Sequence, residues 1–119
     1  MKIFIIAGED SGDKLGTAII DGLRNSLKNS PTFVGIGGTG MQSRGMNSIF
    51  PLSELSVMGF LEIASQYKNL KKRLNQTVSC ILDEQPDILL TIDAPEFCFR
   101  VAKRVKYLNK NIPIAHYVA

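Results

Sequence analysis

The spacing of apolar residues changes along the chain, and each change marks a new element. Lys2–Ala7 is a continuous apolar run with isoleucine at three positions, the pattern of a strand buried on both faces. A turn over 8–13 follows. From Lys14, residues Leu15, Ala18, Ile19, Gly22, Leu23 and Leu27 step by three and four, predicting a helix to about Lys28. Asn29, Ser30 and Pro31 break it, and Thr32–Ile36 reads as a second strand. A glycine-rich stretch, Gly35-Ile-Gly-Gly-Thr-Gly40, leads to a short helical or irregular piece through Arg44 and a brief strand at 48–50. Residues 51–55 read as a turn and 57–61 as a compact apolar run. A second helical stripe comprises Leu70, Leu74, Val78, Ile81 and Leu82, and Gln85-Pro86-Asp87 ends it. Ile88–Ile92 is another buried strand, closed by Asp93-Ala94-Pro95. Phe97, Val101, Val105 and Leu108 form a third stripe, and 112–118 is the last strand.

Strand and helix alternate throughout, which predicts an α/β fold with a Rossmann-like parallel sheet covered by helices on both faces. The 119 residues suit one domain, and neither a repeat nor a linker divides them. The net charge of +3 is unevenly placed. Residues 1–60 hold five Lys/Arg against five Asp/Glu, while 61–119 hold nine against six. The excess falls on Lys68, Lys71, Lys72 and Arg73, then on Arg100, Lys103, Arg104 and Lys106. Solvated helix faces account for such a pattern, and so does an anionic lipid surface or a nucleic acid.

Two cysteines, Cys80 and Cys98, and a single histidine do not make a zinc site of the usual spacing. No disulfide framework is implied, a reducing cytoplasm fits, and both thiols read as small core hydrophobes. Lys2 is followed by only five apolar residues, too few for a secretory signal, and no run approaches the ~20 apolar residues of a spanning helix. Any membrane contact is expected to be peripheral.

The first turn, Ala7-Gly-Glu-Asp-Ser-Gly-Asp13, carries three carboxylates, Glu9, Asp10 and Asp13. A phosphate loop needs four residues between its glycines and then Gly-Lys-Ser/Thr. Here three separate Gly8 from Gly12, and Asp13-Lys14-Leu15 follows. Three acids would also repel an anion from the helix N-terminus that otherwise attracts it. The turn therefore suits hydroxyls or amines better than phosphate. For Asp10 and Asp13 a second reading stands, in which they serve the helix start and Asp10 or Ser11 caps it. Glu9 is less well explained that way.

Gly35, Gly37 and Gly40 match the dinucleotide fingerprint in spacing alone, with Glu54 near the distance of a ribose ligand. They follow the second strand instead of the first, so a tight turn with positive φ at Gly38 and Gly40 is the simpler reading. Asp93 lies at the C-terminal end of a buried strand, where open α/β sheets hold their ligands. It reads either as a general base between apolar walls or as the cap of the helix that begins near Pro95. Residues 57–61 read as a core helix start or as an exposed apolar lip for acyl chains or a bilayer. His116 reads as a hydrogen-bonded core histidine. No Gly-x-Ser-x-Gly elbow is present to support a serine nucleophile.

Together, Ala-Gly-Glu-Asp-Ser-Gly-Asp at 7–13, Val-Gly-Ile-Gly-Gly at 34–38 with Met41-Gln42, and Val-Met-Gly at 57–59 with Glu62 resemble the N-terminal part of the lipid-A-disaccharide synthases. Pro86-Asp87, Ile-Asp-Ala-Pro-Glu-Phe at 92–97 and His-Tyr-Val at 116–118 extend that resemblance over essentially the whole chain. It implies a GT-B glycosyltransferase, in which two Rossmann-like domains face each other across a cleft without metal or other cofactor. The reaction it implies is inverting transfer of 2,3-diacylglucosamine from its UDP derivative to the 6-hydroxyl of 2,3-diacylglucosamine 1-phosphate, releasing UDP. The implied setting is the cytoplasmic face of a Gram-negative inner membrane, held peripherally, with no nucleic acid as partner.

Carried onto this sequence, the resemblance makes Asp93 the base and Glu9 a second catalytic carboxylate. Ser11, Gly12, Asp13, Gly37, Gly38, Met58 and Pro95 become substrate-binding residues, and Val57, Met58, Phe60 and Leu61 the acyl or membrane contact. Two departures stand out: Thr39-Gly40 replaces the family's Pro-Arg, and Cys98 replaces a common Asn beside the base. The chain also stops at Ala119, where the family continues into a UDP-sugar-binding domain. The expectation is an incomplete acceptor-side domain over 1–119 that needs a C-terminal half or a homodimer partner and does not turn over alone. Disaccharide synthesis by the purified 119-residue chain would refute it. Two other readings remain, a stand-alone nucleotide- or sugar-binding module and a remnant with an exposed sheet edge.

Overall fold

Three of the apolar runs become strands with the expected limits: β1 (Lys2–Ala7), β2 (Thr32–Ile36) and β3 (Ile88–Ile92). The computed structural model describes residues 1–60 and 63–118, with the backbone alone for 57–60 and 63–66. The helices are α1 (Asp10–Ser26), α2 (Thr39–Ser43), α3 (Leu52–Phe60), α4 (Ile63–Glu84) and α5 (Pro95–Leu108). A fourth strand, β4 (Ile114–Tyr117), is shorter than the 112–118 expected.

All pairings are parallel, in the order β2-β1-β3-β4. Ile3 stands opposite Phe33 on one side and Ile88 on the other. β1 is thus flanked on both edges, and Phe4, Ile5, Ile6 and Ala7 are fully buried. That accounts for an unbroken apolar run instead of an alternating one. Strand alternation assigns the faces. Gly12 of α1 lies against Ala7 and Ile92, while Phe99 of α5 lies against His116, the strand partner of Thr91. α1 and α5 therefore cover opposite faces, with α4 beside α5. From β1 the chain goes one way to β2, and β3 lies on β1's other side. The C-terminal ends of β1 and β3 are thus a topological switch point.

Several limits differ from expectation. α1 begins at Asp10, four residues before Lys14: Glu9 is extended at φ −149°, and the Asp13 amide already donates to the Glu9 carbonyl at 2.9 Å. The acids belong to the first helical turn, where the helix dipole favours them. Glu9 is the N-cap residue and no side chain caps the helix, so the capping expected of Asp10 or Ser11 is not made. Residues 52–55, expected as a turn, open α3, and 48–50 contribute one bridge, Gly35 to Ser48, instead of a strand. Positive φ falls on Gly35 (143°) and Gly45 (93°), not on Gly38 or Gly40. At Gly35 a Cβ would stand 1.8 Å from the Ile5 carbonyl oxygen, so both space and backbone require glycine there.

α3 is fastened to α4 by Glu54 and Arg73, whose side chains are 25% and 17% exposed. The Arg73 hydrogen bond holds the Glu54 carboxyl below the usual carboxylate range, with burial opposing and Asn69 adding. A lowered carboxylate stabilises the fold above its unfolded value of ~4.3, and that stabilisation is lost as pH falls through the lower folded value. Glu54→Gln is therefore expected to remove about 1 kcal/mol at pH 7 and nothing once Glu54 is protonated in both states. Urea unfolding of both proteins at neutral and acid pH measures the convergence.

Candidate active site

At the switch point two short loops touch. Gly8 and Glu9 follow β1, and Asp93 and Ala94 follow β3. A Cβ on Gly8 would lie 2.1 Å from the Ala94 Cβ, so the loops approach this closely only because residue 8 has no side chain. Asp93 (φ 53°) and Ala94 (φ 43°, ψ 56°) are both left-handed, a conformation that costs roughly 1–2 kcal/mol per non-glycine residue. Strain of this kind gathers at functional sites, where the surrounding structure over-determines it.

Contacts around the Asp93 turn hold it in place. The Asp93 amide donates to the Tyr117 carbonyl at 3.0 Å, and the Cys98 amide closes the first turn of α5 on the Ala94 carbonyl at 3.0 Å. Pro95 takes the first helical position and Ala94 is the N-cap residue, with no side-chain cap bond. The N-cap position thus falls to Ala94 and not to Asp93. The Asp93 side chain is half-buried near the Cys98 thiol. Burial pushes that thiol up to about 12, a Thr91 hydrogen bond opposes the rise, and the Asp93 carboxylate adds to it. Thr91 is buried, and its hydroxyl lies 2.7 Å from His116 Nδ1. His116 is hydrogen-bonded as expected, but it is exposed beside Phe99 instead of lying in the core, because β4 is an edge strand.

On the β1 side, Glu9 and Ser11 are exposed around the N-terminus of α1. Asp13 turns the other way. It is 6% exposed, and its carboxylate accepts three backbone N–H groups: Gly38 at 2.8 Å and Met41 at 3.1 Å on Oδ1, and Gly40 at 2.9 Å on Oδ2. A Cβ on Gly38 or Gly40 would come within 2.9 or 2.8 Å of that carboxylate, which explains both glycines without positive φ. The glycine turn thus spends its donors on Asp13, and the Gly37 amide on Ser48 Oγ at 3.1 Å. None of these amides is left for the pyrophosphate that the fingerprint spacing would require.

The expected site residues therefore divide. Glu9, Ser11, Asp93 and Pro95 lie at the two touching loops, Glu9, Ser11 and Pro95 exposed and Asp93 half-buried. Gly12 faces the sheet and Asp13 the glycine turn, while Gly37 and Gly38 form that turn. The side chains of Val57, Met58 and Phe60, and all of Leu61, lie outside the described residues. Two partners went unforeseen: Ser56 of α3, which donates to the Gly8 carbonyl at 3.1 Å, and the turn amides that donate to the Asp13 carboxylate. The burial of Asp13, though not its partner, was signalled by spacing, because Asp13, Gly16 and Ile20 step along the buried face of α1.

Residues 3–119 match the sequence profile of the family described as lipid-A-disaccharide synthetase. The chain belongs to the lipid-A-disaccharide synthetase family. It is 46% identical over all 119 residues to the lipid-A-disaccharide synthase of Ruegeria pomeroyi, and 42% identical over all 119 to that of Rhodospirillum centenum. It spans 29% and 30% of the lengths of those relatives. The four-stranded parallel sheet is consistent with the N-terminal part of a GT-B enzyme of this synthetase family. Among the described residues, no helix is long and apolar enough to cross a membrane. Lys68, Lys71 and Lys72 of α4 and Arg100, Lys103 and Lys106 of α5 are exposed. Arg73 and Arg104 are instead engaged, by Glu54 and by Asn75.

Proposed function

We propose that this chain forms the acceptor side of a glycosyltransferase that joins UDP-2,3-diacylglucosamine to 2,3-diacylglucosamine 1-phosphate. The observation that carries the reading is the contact of Gly8 with Ala94, which sets the Glu9 and Asp93 loops side by side at the switch point of a family member. In this reading Asp93 takes the proton of the acceptor 6-hydroxyl as that oxygen attacks the anomeric carbon. The new C–O bond forms with inversion while the bond to UDP breaks, and UDP leaves with its electron pair. Glu9 and Ser11 hold sugar hydroxyls, for which carboxylates and hydroxyls are suited partners. Asp13, Gly12, Gly37 and Gly38 shape the pocket from behind.

A C-terminal half, or a second subunit, supplies the UDP-sugar site. Val57, Met58, Phe60 and Leu61 meet acyl chains or the bilayer. The exposed cations of α4 and α5 face anionic lipid at the cytoplasmic surface of the inner membrane, where each is worth about 1 kcal/mol.

Thermal unfolding of the chain tests the reading. With 2,3-diacylglucosamine 1-phosphate at 100 times its Kd the fold should gain about 2.7 kcal/mol, and with UDP nothing. Stabilisation by UDP alone would make the chain a nucleotide-binding module. Absence of a cooperative melt would leave it a remnant.

A further inference from the structure

All three guanidinium nitrogens of Arg73 donate a hydrogen bond. Its Nε donates to Glu54 Oε1 at 3.1 Å, its Nη2 to Oε2 at 2.5 Å, and its Nη1 to Gln76 Oε1 at 2.8 Å, while its Cζ lies over the Phe50 ring, 4.8 Å from the centroid. Asn69 adds a bond to Glu54 Oε1 at 3.2 Å, and Gln76 reaches the Ile49 carbonyl at 3.3 Å. The two-bond fork is the geometry in which arginine and carboxylate hold each other most firmly, and lysine cannot copy it. Glu54, weighed from its spacing as a ribose ligand, has its carboxylate committed to this cluster.

Two lines of contact run from the cluster to the crevice. Phe50, under Arg73, stands edge-on to Phe97 with ring centroids 6.3 Å apart. Phe97 is in the first turn of α5, which closes on Ala94. Two residues beyond Glu54, Ser56 donates to the Gly8 carbonyl, whose peptide leads into Glu9. Gly8 and Ala94 are themselves in contact, so the lines meet and form a ring.

We infer that Glu54 and Arg73 are a positioning pair, setting the relative placement of the Glu9 and Asp93 loops by closing this ring through Ser56 and Phe50. The ring lies behind the reacting groups and touches no substrate. Its consequence for acceptor binding rests on the acceptor-site reading above, whereas the placement itself does not. A displacement on the order of 1 Å at such loops is enough to cost about a hundredfold in rate.

Backbone amide resonances of the 119-residue chain provide the test, together with its affinity for 2,3-diacylglucosamine 1-phosphate. Glu54→Gln and Arg73→Lys are each expected to shift the amides of Gly8, Glu9, Asp93 and Ala94 and to weaken acceptor binding about tenfold. The exchanged pair, Glu54→Arg with Arg73→Glu, should recover both. Asp21→Asn, which breaks the exposed ion pair to Arg44, should move neither. Shifts confined to 49–56 and 69–77, with Gly8 and Ala94 unmoved, would overturn the inference. If a variant does not fold, Ser56→Ala decides instead. It cuts one link of the ring and leaves the ion pair, so unchanged amides at Gly8 and Ala94 again reject the role. A wild-type chain that binds no acceptor would count against the acceptor-site reading, while the amide shifts still judge the pair.

Discussion

Asp93→Asn is expected to lower disaccharide formation by roughly 10²–10⁴-fold, the usual worth of a positioned general base. On the acceptor-side reading proposed above, the measurement uses the chain together with the donor half that this reading calls for, under saturating UDP-2,3-diacylglucosamine. Asparagine keeps the shape and tolerates the left-handed backbone at φ 53° nearly as well as aspartate. The hydrogen bond from the residue 93 amide to the Tyr117 carbonyl belongs to the main chain and survives the change. Acceptor affinity should therefore change little while turnover collapses, which separates loss of the proton acceptor from loss of the site. Equal losses in affinity and turnover would make Asp93 a binding residue, and retained activity would remove it from the chemistry. Asp93→Ala is the poorer test, since it also places a second alanine in a left-handed turn that already strains Ala94.

Asp93 was visible in the sequence because the strand before it was. A five-residue run interrupted only by the β-branched Thr91 leaves little freedom about where the strand ends, so the residue after it falls at the edge where open α/β sheets hold their ligands. The same physics made β1 and β2 legible to the residue. Elements with mixed faces were harder. α3 begins after Pro51 without a clear apolar stripe, and its start depends on Leu52 and Leu55 packing into the core, which a local pattern does not reveal. β4 is an edge strand, so His116 is exposed although its neighbours in sequence suggest an interior strand. The acids of the first loop divide for another reason: the helix begins at Asp10 and its periodicity sends them apart. Glu9 and Asp10 face outward, and Asp13 faces the core. The partner of Asp13 is a set of backbone amides 25 to 28 residues away, which no residue type in the first loop announces.

That burial gives Asp13 the largest expected effect on stability. Asp13→Ala leaves the amides of Gly38, Gly40 and Met41 without their acceptor, and each buried donor left unmet costs about 1–3 kcal/mol. Water entering the space left by the carboxylate recovers part of this, so a net loss of about 3–5 kcal/mol is expected. Against a domain stability of ~5–15 kcal/mol such a loss is severe, and it should lower the unfolding temperature on the order of 15 °C. Asparagine is the sharper variant. It keeps one oxygen as acceptor and turns an –NH₂ donor towards the remaining amide donors, so Asp13→Asn should recover no more than about half of the loss. Asp10, three residues earlier and exposed, offers the contrast, for a carboxylate acting only on the helix dipole is worth about 0.3–1 kcal/mol. Urea unfolding of Asp13→Ala, Asp13→Asn and Asp10→Ala measures all three on one scale. Similar costs at positions 10 and 13 would mean that the acids of the first turn act as a charge cluster. A large cost at 13 alone means that this carboxylate acts as the acceptor that supports the glycine turn.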